Sequence, residues 1–231
     1  MPIVSGGMSL YYAVMILTLV IGAGAQFYVS RQLKKYSHVP SSYGITGAEM
    51  ARRMSIDSGI SHVAVHRGGP NQDFFDPRSN SVTLGTDAYG QYSITAIATA
   101  VHEMGHAQQY AEGYAFMKFR SALVPVVNFC SNAWMIIFML GLLMGAAGGT
   151  FMVKIGIVMF AAVLLFQLVT LPVEFDASRR GLAYLQATGM NQSEISGAYS
   201  VLRACALTYV ASALTALLQL LYLVLSTRSE D

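Results

Sequence analysis

The chain has 231 residues, of which 54% are hydrophobic and 11% charged, and its formal net charge is +2. Soluble domains average roughly 25% charged residues, so this composition excludes an ordinary soluble domain and points to an integral membrane protein. The small net charge, with no Lys/Arg tract or stacking motif, argues against a nucleic-acid partner, and the two cysteines, Cys130 and Cys205, lie in apolar runs as buried small hydrophobes rather than as a disulfide or a CxxC metal site.

Four stretches reach the roughly 20 apolar residues that a bilayer crossing needs. The first covers 8–29. It has no positive charge ahead of its apolar run and no small-x-small site behind it, so it reads as an uncleaved transmembrane helix rather than a signal peptide. Arg31, Lys34 and Lys35 follow at once. Residues 31–120 then form the main extramembrane unit. Thr46 fits a helix N-cap, Glu49 completes a capping box, and that helix ends near Ser58 and Gly59. Val63 to Val65, flanked by His62 and His66, alternates like a short strand. A turn rich in Gly, Pro, Asn and Asp fills 67–80, and Ser81 to Leu84 reads as a second strand.

Ser93 to Glu112 reads as a helix carrying His102-Glu103-Met104-Gly105-His106. On a helix, positions i and i+4 share a face, so both imidazoles reach one metal ion, with the glutamate beside it as a base for water. Catalytic zinc takes three protein ligands and keeps one position open. A metzincin would supply the third through an extension HxxGxxH, but Gln109 stands at the glycine position and Glu112 at the last. Glu112 is therefore the second choice.

The other spans are 122–144, 154–173 and 204–225. A Gly-rich turn, 145–150, joins the second and third as a hairpin. Lys118, Arg120, Arg179, Arg180 and Arg203 flank the spans on one side. The positive-inside rule then places 31–120 and 174–203 in the cytoplasm and both chain ends opposite. Pro172 bends or restarts the helix at the end of the third span, and Glu174 follows it. Two spans separate His106 from Glu174, so both lie on the same side. Glu174 is the favoured third ligand. His62 and His66 would sit about 13 Å apart on a strand and read as a solvated face, as does His38.

Taken together, the segments around Tyr43 to Glu49, Phe74 to Pro77, Ala100 to Ala107, Val169 to Ser178 and Ala206 to Ala211 resemble the neutral zinc metallopeptidases of bacterial membranes, the YugP-like family. The resemblance implies zinc on His102 and His106, with Glu103 as catalytic base. Phe74 stands where that family often has a histidine and receives no zinc role. Glu174 also resembles the glutamate of the Glu-Phe/Tyr-x-Ala-Asp motif of membrane gluzincins such as the CAAX prenyl proteases. There an aspartate four residues on supports a ligand histidine; here that position is Ser178, leaving Ser178 or Asp176 for the role.

The expectation is a mainly α integral membrane protein: four transmembrane helices, plus a small zincin-like α+β extramembrane domain with a short edge-strand hairpin. It would bind one Zn2+ per chain and lie in a bacterial inner membrane. It would cleave protein or peptide substrates by a zinc-activated water with Glu103 as general base. Arg179, Tyr110 and His66 are candidates for an oxyanion donor, and Ser81 to Leu84 for edge pairing with an extended substrate. Two rival readings differ in class. An intramembrane-cleaving protease would need the motif helix to cross the bilayer, and its apolar run is too short. A non-proteolytic scaffold or chaperone with structural zinc would need a closed Cys/His set, which the chain lacks.

Overall fold

In the computed structural model, which describes residues 2–145 and 148–228, long apolar stretches form helices and the polar segment between the first two folds around a small sheet. The elements in order are α1 (Pro2–Ser37), α2 (Gly47–Asp57), β1 (Ala64–Arg67), β2 (Phe74–Asp76), β3 (Ser81–Leu84), α3 (Thr86–Gly90), α4 (Ile94–Ala111), α5 (Ala115–Met144), α6 (Gly149–Ala187) and α7 (Gln192–Arg228). Four of these, α1, α5, α6 and α7, are long and apolar enough to cross a membrane. Ala146 and Ala147, in the expected 145–150 turn, lie outside the described residues.

The helices overrun the expected spans. α6 continues from Gly149 through Pro172 to Ala187, so the helix does not restart at the proline. Proline removes one backbone donor but keeps a helical φ, and the flanking turns carry the helix through. Hydropathy marks only the stretch that wants hydrocarbon; it does not mark where a helix stops.

Two compact units divide the chain. One comprises the described parts of Met1–Ala25, Phe119–Thr170 and Tyr209–Asp231. Its buried cluster is Phe160, Leu164 and Ala216, with the Trp134 ring 4.6 Å from Phe160 and tilted 43° to it. The other comprises Gln26–Lys118 and Leu171–Thr208. It holds the main core, built from Met50 and Met54 of α2, Val82 and Leu84 of β3, Ile94, Ile97, Val101 and Met104 of α4, Leu185 of α6, and Ile195 and Val201 of α7.

Local chemistry accounts for the starts of these elements. Thr46 caps α2 and Glu49 answers as a capping box, its carboxylate accepting from the Thr46 N–H at 2.7 Å. Ser93 caps α4 by accepting from the Ala96 N–H at 3.2 Å. The helix then presents Ile94, Ile97, Val101 and Met104 to the core at helical spacing.

The sheet corrects the sequence reading. Its order is β1-β3-β2, with β3 parallel to β1 and antiparallel to β2. The strand Ser81–Leu84 is thus central, paired on both sides, and has no edge to offer a substrate. The hairpin partner is β2, inside the segment expected to be all turn. Three residues bounded by Asp73 and Pro77 give too short a pattern to register as a strand. β2 is the edge that packs against α4, with the Phe75 ring 5.6 Å from Tyr110.

The second unit depends on a close crossing of α4 and α6. Gly105 of α4 faces Ala177 of α6 and Val101 faces Gly181, so the two helices run antiparallel with small residues every fourth position along the seam. A Cβ on Gly105 would lie 2.5 Å from the Ala177 carbonyl oxygen, and one on Gly181 2.9 Å from the Val101 side chain. Backbone cannot give way as a flexible side chain can. Replacing Gly105 with Val should cost about 1–3 kcal/mol by overpacking. It should show as a lowered thermal unfolding temperature; an unchanged unfolding temperature would contradict the close contact.

Candidate metal centre

The α4–α6 seam sets two imidazoles opposite one carboxylate. His102 and His106 are one helical turn apart on α4, and Glu174 lies on the facing turn of α6. Nε2 of His102 is 3.2 Å from Glu174 Oε2, and Nε2 of His106 is 3.6 Å from the same oxygen. Donor atoms of all three residues fall within 4.8 Å of one another. The rings meet edge-to-face at 4.7 Å. His106 and Glu174 are buried and His102 nearly so.

Each histidine is oriented from behind. His102 Nδ1 lies 3.1 Å from Ser178 Oγ, one turn beyond Glu174 on α6. His106 Nδ1 lies 3.0 Å from Gln109 Oε1. Gln109 is fully buried at 0% exposure. Its amide nitrogen donates to the Val173 carbonyl at 2.8 Å and to the Asp176 carboxylate at 2.9 Å. Both partners only accept, so the amide oxygen must face His106 and accept from Nδ1–H. Asp176 is held in turn by Arg179 and by Arg180 Nε at 2.6 Å. Ser178 and Asp176, posed as alternatives by the sequence, therefore both act, one behind each histidine.

This arrangement fits a cation. With its proton fixed on Nδ1, neutral His106 aims the Nε2 lone pair at a carboxylate oxygen 3.6 Å away. Two acceptors facing each other in a buried pocket are unfavourable unless positive charge stands between them. The pKa of His106 reports the same preference. Burial opposes the charged imidazole, yet Glu174 and Glu103 outweigh it and hold the pKa above the usual histidine value. Two imidazole nitrogens and one carboxylate oxygen make a donor set of the kind catalytic zinc takes.

Glu103 sits between the histidines on the same helix, 7% exposed, and among the described residues no hydrogen bond ties up its carboxyl. Burial pushes its pKa above the usual carboxylate range, the neighbouring imidazoles pull it partly back, and Glu174 and Asp73 raise it further.

Other sequence candidates lie elsewhere. Glu112 is the C-cap residue of α4 and pairs with Arg180 at 2.8 Å, outside the donor group. His38, His62 and His66 are exposed. Of the three candidate oxyanion donors, Arg179 is engaged by Asp176, Tyr110 packs on Phe75, and His66 faces outward on β1; none bonds to the donor group. Phe74 is exposed on β2. α4 is not among the four helices long and apolar enough to cross a membrane. The residue that sequence reasoning missed is Gln109. It appeared only as a break in the metzincin pattern, although its position one turn beyond His106 on the buried face was itself a signal.

A family model described as "Putative neutral zinc metallopeptidase" matches residues 11–228, and the chain belongs to that family. It is also 40% identical over 218 residues to "Putative membrane protease YugP" of Bacillus subtilis (strain 168), a match covering 94% of this chain and 96% of the relative. No solved structure matches.

Removing the Gln109 amide frees His106 to rotate. Gln109→Leu is expected to weaken zinc binding about 10–100-fold, measured by competition with a chromogenic chelator, with helical content unchanged. Glu174→Ala should abolish stoichiometric zinc. Full retention of zinc by that variant would move the third ligand elsewhere.

Proposed function

We propose that this protein is a zinc-dependent endopeptidase of the gluzincin type, acting at the cytoplasmic face of a bacterial inner membrane on membrane-associated or unfolded proteins. The single observation that carries the reading is the convergence of His102, His106 and Glu174 beside a buried, unbonded Glu103. A purely structural zinc would be enclosed by four ligands and would leave Glu103 without a task.

His102 and His106 would hold the ion through Nε2 and Glu174 through a carboxylate oxygen. When bound, zinc supplies Lewis acidity to a scissile carbonyl and lowers the pKa of water at the site. The chain's own residues do the rest. Ser178 and Gln109 fix both imidazole rings, so the site need not reorganise during the reaction. Glu103 takes the proton of the attacking water and returns it to the leaving amine. Its burial supports that task, because a carboxyl raised above its usual range is closer to the working pH and can both accept and donate. An extended substrate adds to β2, the sheet edge beside α4, since among the described residues no strand pairs with its outer side. The cytoplasmic assignment follows from the Lys and Arg residues flanking the apolar stretches.

Glu103→Gln should keep its zinc and lose proteolysis of a casein-type substrate by roughly 10²–10⁴-fold. Zinc is counted by atomic emission and cleavage by gel. Surviving activity in that variant would sink the mechanism. Chelation should silence the wild type and zinc should restore it. For orientation, a reporter fused after Asp231 should signal from the non-cytoplasmic side.

A further inference from the structure

A second concave site lies within the same compact unit, on the far side of Ser178. A cavity of about 430 Å³ opens between α6 and α7. Its walls are apolar, from Phe175, Leu182, Leu202 and Ala206, and Arg179 and Arg203 stand on it. No acidic side chain is among its lining residues. Arg179 is spoken for by Asp176, but among the described residues Arg203 has no acidic partner and is exposed.

Position along the helices supplies the second clue. Residues 155–173 of α6 and 204–227 of α7 carry no charged side chain, and Arg203 immediately precedes the second of these stretches. A bilayer that takes up both uncharged stretches brings the cavity to the level of the lipid headgroups. An unpaired arginine above an apolar pocket at that depth complements an amphiphile with an anionic head. An acidic peptide would match the arginine but not the greasy walls, and a zwitterionic lipid would match the walls but carries no net charge for the arginine.

We propose that this cavity binds one anionic phospholipid, with the phosphate on Arg203 and the upper acyl chain against Leu182, Leu202 and Ala206. Ser178 lines the same cavity and holds His102, so lipid occupancy bears on the wall behind the metal centre. The inference concerns lipid binding and stands apart from the peptidase reading.

The test uses the full-length protein in neutral detergent, titrated with phosphatidylglycerol and with phosphatidylcholine and read by native mass spectrometry. The wild type should take up one phosphatidylglycerol in preference to phosphatidylcholine. Arg203→Gln should lose about fivefold of that preference, the share of one arginine at a membrane surface. Ala183→Trp, at an exposed position lining the cavity, should weaken both lipids by filling the acyl site while leaving the arginines in place. The proposal fails if Arg203→Gln keeps the wild-type preference or if Ala183→Trp binds both lipids unchanged. It also fails if inorganic phosphate or an acidic peptide displaces phosphatidylglycerol, since the cavity would then be a free-anion or protein site. Helical circular dichroism of both variants establishes that they are folded.

Discussion

The constraint on which the second unit turns is the close contact between Gly105 on α4 and the backbone of α6 at Ala177. Helices with ordinary side chains at the crossing stand 8–10 Å apart. A glycine facing an alanine, with Gly181 one turn further along, lets the backbones approach more nearly. That approach brings Glu174 within 3.2 and 3.6 Å of two histidines and Ser178 within 3.1 Å of one. A bulkier residue at Gly105 would move the carboxylate away from the imidazoles without touching any of the three groups. Gly105, the fourth residue of the pentapeptide, is therefore as much a part of the site as the residues that carry donors.

Electrostatics makes this geometry expensive unless each part has a partner. Two imidazoles and two carboxyls share a buried pocket. The polar groups behind them relieve much of the cost. Gln109 passes hydrogen bonding from Asp176 to His106, and Arg180 links Asp176 to Glu112 at the end of α4. The network thus ties the C-terminal end of the motif helix to α6 at the level where the donors meet. What remains between the imidazoles and Glu174 is a place where positive charge is favoured, as the raised pKa of His106 reports. Among the described residues Glu103 is the member of this group without a hydrogen bond, which is the observation behind the role proposed for it.

Much of the local structure was legible because it rests on short-range chemistry. The α2 capping box at Thr46 and Glu49 and the α4 cap at Ser93 formed as their residue types dictate. The strand Ser81–Leu84 has the expected ends. The misses have equally physical causes. β2 is three residues long and owes its existence to pairing with β3, so the segment alone carries no period to detect. Because β2 takes one side of β3 and β1 the other, the strand expected at an edge became the centre of the sheet. Pro172 failed to interrupt α6 because one missing hydrogen bond does not outweigh the packing of the turns on either side.

By itself, the sequence determined the membrane character, the family and the helix bearing His102, Glu103 and His106, because hydropathy and i, i+4 spacing are properties of contiguous residues. It also pointed to Glu174, through the parity of the intervening apolar stretches. The tertiary structure alone decided that Glu174 meets both histidines, that Ser178 and Asp176 serve different rings, and that Gln109 joins one of them. Those facts depend on the register and closeness of two helices whose contacting residues lie 67 and 76 apart in the chain. Such register is set by which small side chains face each other across the seam, and no local pattern encodes it.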